Sequence, residues 1–177
     1  MKNKKNTLKM TVYASLFAAL TAAGAFISIP IGPVPIVLQN IFVLLAGLIL
    51  GSRWGLASVG VYLLMGACGF PVFAGGTGGI GRLLGPTGGY LLGYIPCVFI
   101  TGLISEKLSK KIPLILSNII AMIPGTIIVY LAGVSWLKIV TNMEWTKVFA
   151  LGVYPFIIGD ILKIIAASFA AKIIGKK

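Results

Sequence analysis

Histidine is absent from this chain of 177 residues, and only three residues are acidic, namely Glu106, Glu144 and Asp160. Its two cysteines, Cys68 and Cys97, stand far apart in the sequence and lack the short spacing of metal ligands. A zinc or haem site is therefore not expected, and so few acids leave little for hydrolytic chemistry. The sequence predicts a protein that is not an enzyme and that needs no metal or cofactor.

Charged residues are scarce as well, at 10% of the chain, whereas hydrophobic residues make up 58% and the mean hydropathy is +1.05. We therefore predict an all-α integral membrane protein with a single domain over residues 1–177. Six apolar runs approach the roughly 20 residues that a membrane-spanning helix needs. They cover residues 9–29, 36–52, 54–68, 86–106, 113–134 and 149–173. The second and third runs are short and meet at Ser52, so one re-entrant hairpin is the alternative there to two of the six predicted transmembrane helices.

The net charge of +12 would suit nucleic-acid binding, but the order of the basic residues favours a membrane topology instead. With a cytoplasmic N-terminus, most of them fall in cytoplasmic segments: Lys2, Lys4, Lys5, Lys9, Arg53, Lys107, Lys110, Lys111, Lys172, Lys176 and Lys177. The opposite side receives only Arg82, Lys138 and Lys147. Cytoplasmic loops of membrane proteins carry such an excess, so both termini are predicted to be cytoplasmic and no nucleic acid is expected.

An acid and a base lie three positions apart inside the last apolar run, at Asp160 and Lys163. On a helix this spacing places both side chains on the same face, where they can pair or together grip a polar ligand. A charge at membrane depth costs roughly 2.5–3.5 kcal/mol on insertion scales. An ion pair that only fixes helix packing is the alternative, but this cost favours a binding function for both residues.

The segment 66–90 contains too many glycines and prolines for a continuous helix, yet it stays apolar enough to lie at membrane depth on the outer side. Its glycines would let a ligand approach the backbone closely. Arg82 is the cation of this segment, and its guanidinium suits a carboxylate, although anchoring the loop among lipid headgroups is an equal alternative. Four aromatic residues are candidates for an apolar slot or for an interfacial belt: Phe70, Phe73, Tyr90 and Tyr94.

Two neighbouring amides, Gln39 and Asn40, follow a proline-rich turn between the first two runs. Each amide can both donate and accept hydrogen bonds. For Asn40 we favour a helix cap or an inter-helix hydrogen bond, whereas Gln39 is the better candidate for a ligand contact.

Small residues form a strip along the first helix, where Ala14, Ala18 and Ala22 recur at every fourth position beside a second row of Ala19 and Ala23. Such a strip lets another helix approach closely. It either packs against a helix of the same chain or docks a partner polypeptide, and partner docking is the sharper hypothesis.

Together these segments resemble the BioY family, the biotin-specific substrate-capture subunits (S-components) of energy-coupling factor (ECF) transporters. The resemblance covers nearly the whole chain, through Pro33-Val-Pro-Ile-Val-Leu-Gln39, Gly69-Phe-Pro-Val-Phe-Ala-Gly-Gly76, Leu84-Gly-Pro-Thr-Gly-Gly-Tyr-Leu91 and Asp160-x-x-Lys163. It implies a six-helix S-component fold in a prokaryotic cell membrane that binds biotin near the outer face. It also implies a transmembrane scaffold subunit and two cytoplasmic ATPases as partners, with the alanine strip as the docking surface.

Biotin suits the polar residues of the sequence. Asp160 can accept hydrogen bonds from the ureido N–H groups, Lys163 can donate to the ureido oxygen or balance the aspartate, and Arg82 can hold the carboxylate. Three alternatives remain: an S-component for another small vitamin, an intramembrane enzyme acting on lipids, and a small channel. The enzyme lacks a catalytic cluster.

Overall fold

The computed structural model describes residues 2–30 and 32–174, with side chains from residue 6 onward. Within these ranges the chain forms helices joined by short loops and one small two-stranded ribbon. The helices are α1 (Lys2–Phe26), α2 (Gln39–Ala67), α3 (Ile80–Leu84), α4 (Gly88–Leu108), α5 (Leu114–Thr141), α6 (Trp145–Gly152) and α7 (Tyr154–Ile174). The strands are β1 (Ser28–Ile29) and β2 (Ile36–Val37), which pair antiparallel in the proline-rich turn.

Helix α2 reverses direction at Gly51, within two residues of the predicted junction between the second and third runs. Gly51 has φ 77° and ψ −176°, a backbone conformation that glycine adopts without a side-chain clash. Because of the reversal, the Tyr62 hydroxyl lies 3.2 Å from Gln39 Oε1, whereas a straight helix would separate these residues by about 35 Å. The two halves of α2, residues 39–50 and 52–67, therefore pack side by side as a helical hairpin.

A carboxylate from α4 holds this turn in place. Glu106 Oε1 accepts a hydrogen bond from the backbone N–H of Ser52 at 2.7 Å, at the start of the second half of α2. The Ser52 hydroxyl lies 3.2 Å from both carboxylate oxygens. An acid at a helix N-terminus satisfies an otherwise unpaired N–H group and complements the helix dipole. Glu106 thus has a structural role at a helix end.

Five helical stretches in the described residues are long and apolar enough to cross a membrane: Asn6–Phe26, Gln39–Ala67, Gly88–Leu108, Leu114–Thr141 and Trp145–Ile174. The count differs from six because the second and third predicted runs both lie in α2. Helix α5 extends to Thr141, beyond the predicted end at 134, and stops where Asn142 adopts a left-handed conformation with φ 53°. The predicted run 149–173 is interrupted at Val153, which separates α6 from α7.

The glycine-rich segment 66–90 folds against the bundle and carries α3. The N–H groups of Gly69 and Gly79 donate to the Gly66 carbonyl at 3.1 and 2.7 Å. Phe73 inserts into the bundle, where its ring stands edge-on to Tyr62 with 5.6 Å between centroids. A side chain at Gly66 would overlap the Phe73 ring, so this glycine is a packing requirement.

Several glycines of this segment pack against the protein itself, whereas the close approach of a ligand to the others stays a prediction. Gly78 lies against the Phe70 carbonyl, while Gly88 and Gly89 lie against Leu83 and Trp136. These three glycines make room for the chain's own backbone and side chains, whereas others in the segment, such as Gly75, have open space at the Cβ position.

The docking role predicted for the alanine strip is also corrected. Ala14 and Ala18 are each 5% exposed and belong to the main hydrophobic core, and Ala22 is half-buried against it. A partner cannot reach a surface that the protein's own helices already cover. The neighbouring row of α1, with Ala19 and Ala23, is the exposed one.

Candidate binding site

One cleft brings together most of the ligand-contact residues that the sequence predicts. The β1–β2 turn, the glycine-rich segment and helices α2, α4, α5 and α7 contribute to its wall. Its lining includes Gln39, Phe73, Arg82, Tyr90, Asp160 and Lys163. These residues are spread over 125 positions of sequence (39 to 163), and only the tertiary structure makes them neighbours.

The centre of the cleft wall is a charged pair on α7. Lys163 Nζ lies 3.0 Å from Asp160 Oδ1, and both side chains are about nine-tenths buried, with 11% and 10% exposure. The shared helix face predicted from the three-residue spacing is therefore confirmed. Lys163 Nζ also donates to the Val37 carbonyl at 2.9 Å, which fastens α7 to the β1–β2 turn.

Two neutral donors from other helices complete the surroundings of the aspartate. Asn40 Nδ2, on α2, donates to Asp160 Oδ1 at 2.7 Å. The Tyr130 hydroxyl, on α5, donates to Asp160 Oδ2 at 2.5 Å. The carboxylate thus joins α2, α5 and α7 at membrane depth, where buried charges require several hydrogen-bonding partners.

The hydrogen-bonding capacity that remains in this cluster defines what a ligand must offer. A carboxylate has about four acceptor positions, and donors from the described residues occupy two on Asp160 Oδ1 and one on Oδ2. An ammonium group has three N–H donors, of which Lys163 uses two, toward Val37 and Asp160. One acceptor position on Asp160 and one donor on Lys163 therefore remain, and the buried Asn40 Oδ1 is a further acceptor without a partner among the described residues. A ligand with two N–H groups flanking a carbonyl would complete all three.

Gln39 and Asn40 lie next to each other at the start of α2 but have different hydrogen-bond partners. Gln39 is 2% exposed, and its amide oxygen accepts a hydrogen bond from the Tyr62 hydroxyl, so this oxygen is engaged within the protein. Asn40 makes the inter-helix hydrogen bond that the sequence favours, and its partner is the aspartate of the site. A direct ligand contact by Gln39 stays a prediction.

Arg82 lies on α3 at the exposed side of the cleft. Its Nε donates to the Thr77 hydroxyl at 2.8 Å, which orients the guanidinium. No acidic partner lies within ion-pair distance of it in the described residues, so its terminal N–H groups remain available. An oriented guanidinium of this kind can take a carboxylate in a two-bond arrangement.

Aromatic rings contribute to the apolar wall of the cleft. Phe73 and Tyr94 are buried and line the cleft. Tyr90 also lines it, and its hydroxyl donates to the Gly152 carbonyl at 2.8 Å, which ties α4 to the end of α6. Phe70 is 55% exposed and lies outside the cleft, so only three of the four candidate aromatics contribute to it.

Tyr130 and Phe156 line the cleft but were not selected from the sequence. Each lies in a long apolar run, where aromatic residues ordinarily face lipid or the core. The hydroxyl of Tyr130 offered a signal, because a tyrosine in the middle of a spanning helix needs a hydrogen-bond partner when buried. Which partner it finds depends on how α5 packs against α7.

The described residues contain no group of three or more histidine, cysteine or acidic side chains that could hold a metal ion. The groups that line the cleft can offer a ligand hydrogen bonds, charge and aromatic surface.

Comparison with known proteins gives a consistent result. The sequence model of the BioY family matches residues 1–177. This chain belongs to the BioY family. A relative named "Probable biotin transporter BioY", from Pyrococcus horikoshii, is 43% identical over 158 residues, which cover 89% of this chain and 91% of the relative. The "Biotin transporter BioY" of Thermotoga maritima is 39% identical over 164 residues, covering 93% and 94% of the two chains.

The fold of this BioY protein is also similar to a solved structure. The crystal structure of the S-component for biotin from an ECF-type ABC transporter superimposes with a TM-score of 0.91 at 32% sequence identity. The match covers 100% of this chain and 95% of the other. This similarity over the whole chain confirms the expected S-component fold. Membership of a transporter family, together with several long apolar helices, supports the predicted multi-pass membrane protein.

Proposed function

We propose that this chain binds biotin at the outer side of a prokaryotic cell membrane and delivers it to an ECF transporter for ATP-driven uptake. Its relatives are named biotin transporters, and its structural neighbour is an S-component for biotin. The observation that carries the proposal is the pairing of one remaining acceptor on Asp160 with one remaining donor on Lys163.

The ureido ring of biotin matches this pair. It presents two N–H groups, one on each side of a carbonyl. Asp160 Oδ2 accepts one N–H, Lys163 Nζ donates to the oxygen, and the unpaired Asn40 Oδ1 is the acceptor for the other N–H. The contacts with Asp160 and Lys163 involve a charged protein group, and such hydrogen bonds contribute about 1.5–3 kcal/mol each. The two contacts together fix the orientation of the ring.

The remainder of biotin follows the cleft toward its mouth. The thiophane ring and the valerate chain are apolar and lie against Phe73, Tyr90 and Tyr94. The terminal carboxylate reaches Arg82, whose guanidinium is already oriented by Thr77. The anchoring of the loop among lipid headgroups by Arg82 is compatible with this role, because the residue lies at the exposed side of the cleft.

If the two halves of α2 are counted separately, the protein has six membrane helices. We assign the end of the bundle that contains the Gly51 turn to the cytoplasmic side. Arg53 and Lys107 lie beside this turn and beside Glu106, in segments for which the positive-inside rule predicts the cytoplasm. The cleft and Arg82 lie at the other end of the bundle. Both termini are then cytoplasmic and the cleft opens outward.

We assign contact with the ECF partners, a transmembrane scaffold subunit and two ATPases, to the exposed row of α1. This row contains Ser15, Ala19 and Ala23, all exposed, and it has the small side chains that permit close helix approach in a membrane. It replaces the buried row of Ala14 and Ala18.

Equilibrium binding to the purified protein in detergent tests the function. Radiolabelled biotin is expected to bind saturably and to be displaced by unlabelled biotin, with thiamine and riboflavin without effect at the same concentrations. Displacement by either of these vitamins would assign the chain to another ligand, and an absence of saturable biotin binding would refute the proposal.

A further inference from the structure

The Thr77 hydroxyl makes two hydrogen bonds whose directions are fixed by their partners. It donates to the Ala74 carbonyl at 3.0 Å, and it accepts from Arg82 Nε at 2.8 Å. A carbonyl can only accept and an arginine N–H can only donate, whereas a hydroxyl can do both at once. The hydroxyl proton is therefore directed at Ala74, and an oxygen lone pair is directed at Arg82.

The backbone of Thr77 is connected to a buried residue of the cleft wall. Phe73 and Thr77 form an isolated antiparallel β-bridge. In it the Phe73 N–H donates to the Thr77 carbonyl at 2.8 Å, and the Thr77 N–H donates to the Phe73 carbonyl at 3.3 Å. Phe73 is 2% exposed and packs inside the bundle against Tyr62. The acceptor that Thr77 offers to Arg82 is thus tied to the core of the protein.

The bond to Thr77 decides which edge of the Arg82 guanidinium is left for a ligand. A guanidinium can bind a carboxylate through two parallel hydrogen bonds, either from Nε and one terminal nitrogen or from both terminal nitrogens. Thr77 occupies the Nε–H group, so the first edge is no longer complete. The edge with Nη1 and Nη2 remains, on a side chain that lines the cleft.

Two parallel donors suit a ligand group that has two acceptors side by side. A carboxylate meets this condition with its two oxygens. A primary amide has the same shape but offers only one oxygen, and its NH₂ group would face an N–H donor of the arginine. Geometry therefore adds to charge in favouring an acid over the corresponding amide at this position.

We propose that Thr77 is a positioning residue, which presents the Nη1–Nη2 edge of Arg82 to the cleft and so increases the preference of the site for free biotin over amide-linked biotin. This inference rests on the proposed function, and it names the form of the vitamin that the site selects. Thr77 acts through Arg82 and does not need to touch the ligand.

The probe is biotinamide, in which a primary amide replaces the carboxylate while the ureido and thiophane rings are unchanged. The measured quantity is the ratio of its Kd to that of biotin, determined on the purified full-length protein in detergent. For the unsubstituted protein the ratio is expected to be about tenfold or more, because a charge-assisted contact with Arg82 is lost.

Thr77→Val is expected to lower this ratio by about two- to tenfold, because valine keeps the shape of threonine but offers no acceptor to Arg82 Nε. Thr77→Ser keeps the hydroxyl and should keep the ratio. Thr126→Val is the matched control: Thr126 is also half-buried and its hydroxyl also donates to a backbone carbonyl, that of Met122, but it lies outside the cleft.

Two further variants separate positioning from a general loosening of the glycine-rich segment. In a protein that already carries Arg82→Gln, adding Thr77→Val should leave the ratio unchanged, since its effect passes through the guanidinium. Loosening of the segment would instead weaken both ligands equally. Arg82→Lys keeps the charge without the planar fork, so it should also lower the ratio, and it decides the matter if Thr77→Val does not yield folded protein.

The inference is overturned by an unchanged ratio in folded Thr77→Val, by a ratio in Thr77→Ser as low as in Thr77→Val, or by an unchanged ratio in Arg82→Lys. In each of these cases saturable biotin binding by the unsubstituted protein leaves the proposed function intact. Absence of biotin binding by the unsubstituted protein overturns the proposed function and this inference with it, so the two failures are distinguishable.

Discussion

Asn40 and Asp160 are 120 positions apart in the sequence, and the Asn40 side-chain amide donates to the Asp160 carboxylate across 2.7 Å. This contact joins the start of α2 to the middle of α7 and places the proline-rich turn beside the charged pair. Lys163 strengthens the same junction through the Val37 carbonyl. The residues that are expected to bind the ligand therefore also connect α2 and the β1–β2 turn to α7.

Asp160→Asn is expected to weaken biotin binding by about 10- to 100-fold, because an amide is a weaker acceptor than a carboxylate and Lys163 loses its charge partner. The protein should still insert and purify. Titration with radiolabelled biotin measures the change. Glu144→Gln makes the same chemical change at an exposed residue outside the cleft and should bind like the unsubstituted protein. Unchanged affinity in Asp160→Asn would remove this residue from the ureido contact.

The double variant Asp160→Asn with Lys163→Met separates ligand recognition from helix packing. Lys163→Met alone leaves a buried carboxylate without its cation, which typically destabilises a protein by about 3–5 kcal/mol. Neutralising the aspartate as well should restore much of the thermal stability but not the binding of biotin. Thermal unfolding in detergent measures the stability, and biotin titration measures the binding. A stable double variant that binds biotin normally would assign the pair to packing alone.

Arg82→Gln is expected to reduce the affinity for biotin by about tenfold, since a charge-assisted carboxylate contact is lost. The same substitution should hardly change the affinity for biotin methyl ester, which has no carboxylate to lose. Comparing both ligands on both proteins gives a thermodynamic cycle. If Arg82→Gln lowers the affinity for biotin and for its methyl ester equally, Arg82 anchors the loop and does not bind the ligand carboxylate.

Gly51→Ala is expected to destabilise the protein by about 1–3 kcal/mol, because alanine disfavours φ 77° and its methyl group would collide with the Glu106 carboxylate. The melting temperature in detergent is the measurement. Gly60→Ala is the control, since this glycine lies in the second half of α2 with open space at its Cβ position. A melting temperature equal to that of the unsubstituted protein for Gly51→Ala would contradict the hairpin geometry.

Ala18→Trp and Ala19→Trp should have opposite consequences although they are adjacent on α1. Ala18 is 5% exposed, so a tryptophan there overpacks the core and lowers the yield of folded, biotin-binding protein. Ala19 is exposed, so Ala19→Trp should bind biotin normally while failing to co-purify with the scaffold subunit. Normal co-purification of Ala19→Trp would show that the partner docks elsewhere.

Much of the site was accessible from local sequence features. The three-residue spacing of Asp160 and Lys163 fixes a shared face on any helix, and the energetic cost of intramembrane charge predicts a function for the pair. By contrast, neither the glycines of segment 66–90 nor the alanine rows of α1 reveal by themselves what they contact. A small residue indicates close approach without identifying the approaching group, and the structure places the chain's own residues against several of these glycines and against Ala14 and Ala18.

The sequence by itself determined the membrane class, the apolar runs, the charged pair and the family resemblance, since these depend on composition, helical spacing and ordered motifs. Only the tertiary structure decided that Tyr130 and Asn40 meet Asp160, that α2 reverses at Gly51 and that Ala18 rather than Ala19 is covered. The physical reason is the solvent. In a bilayer both the lipid-facing and the buried sides of a helix are apolar, so hydrophobic periodicity does not reveal which side faces the bundle, and the packing of helices settles it.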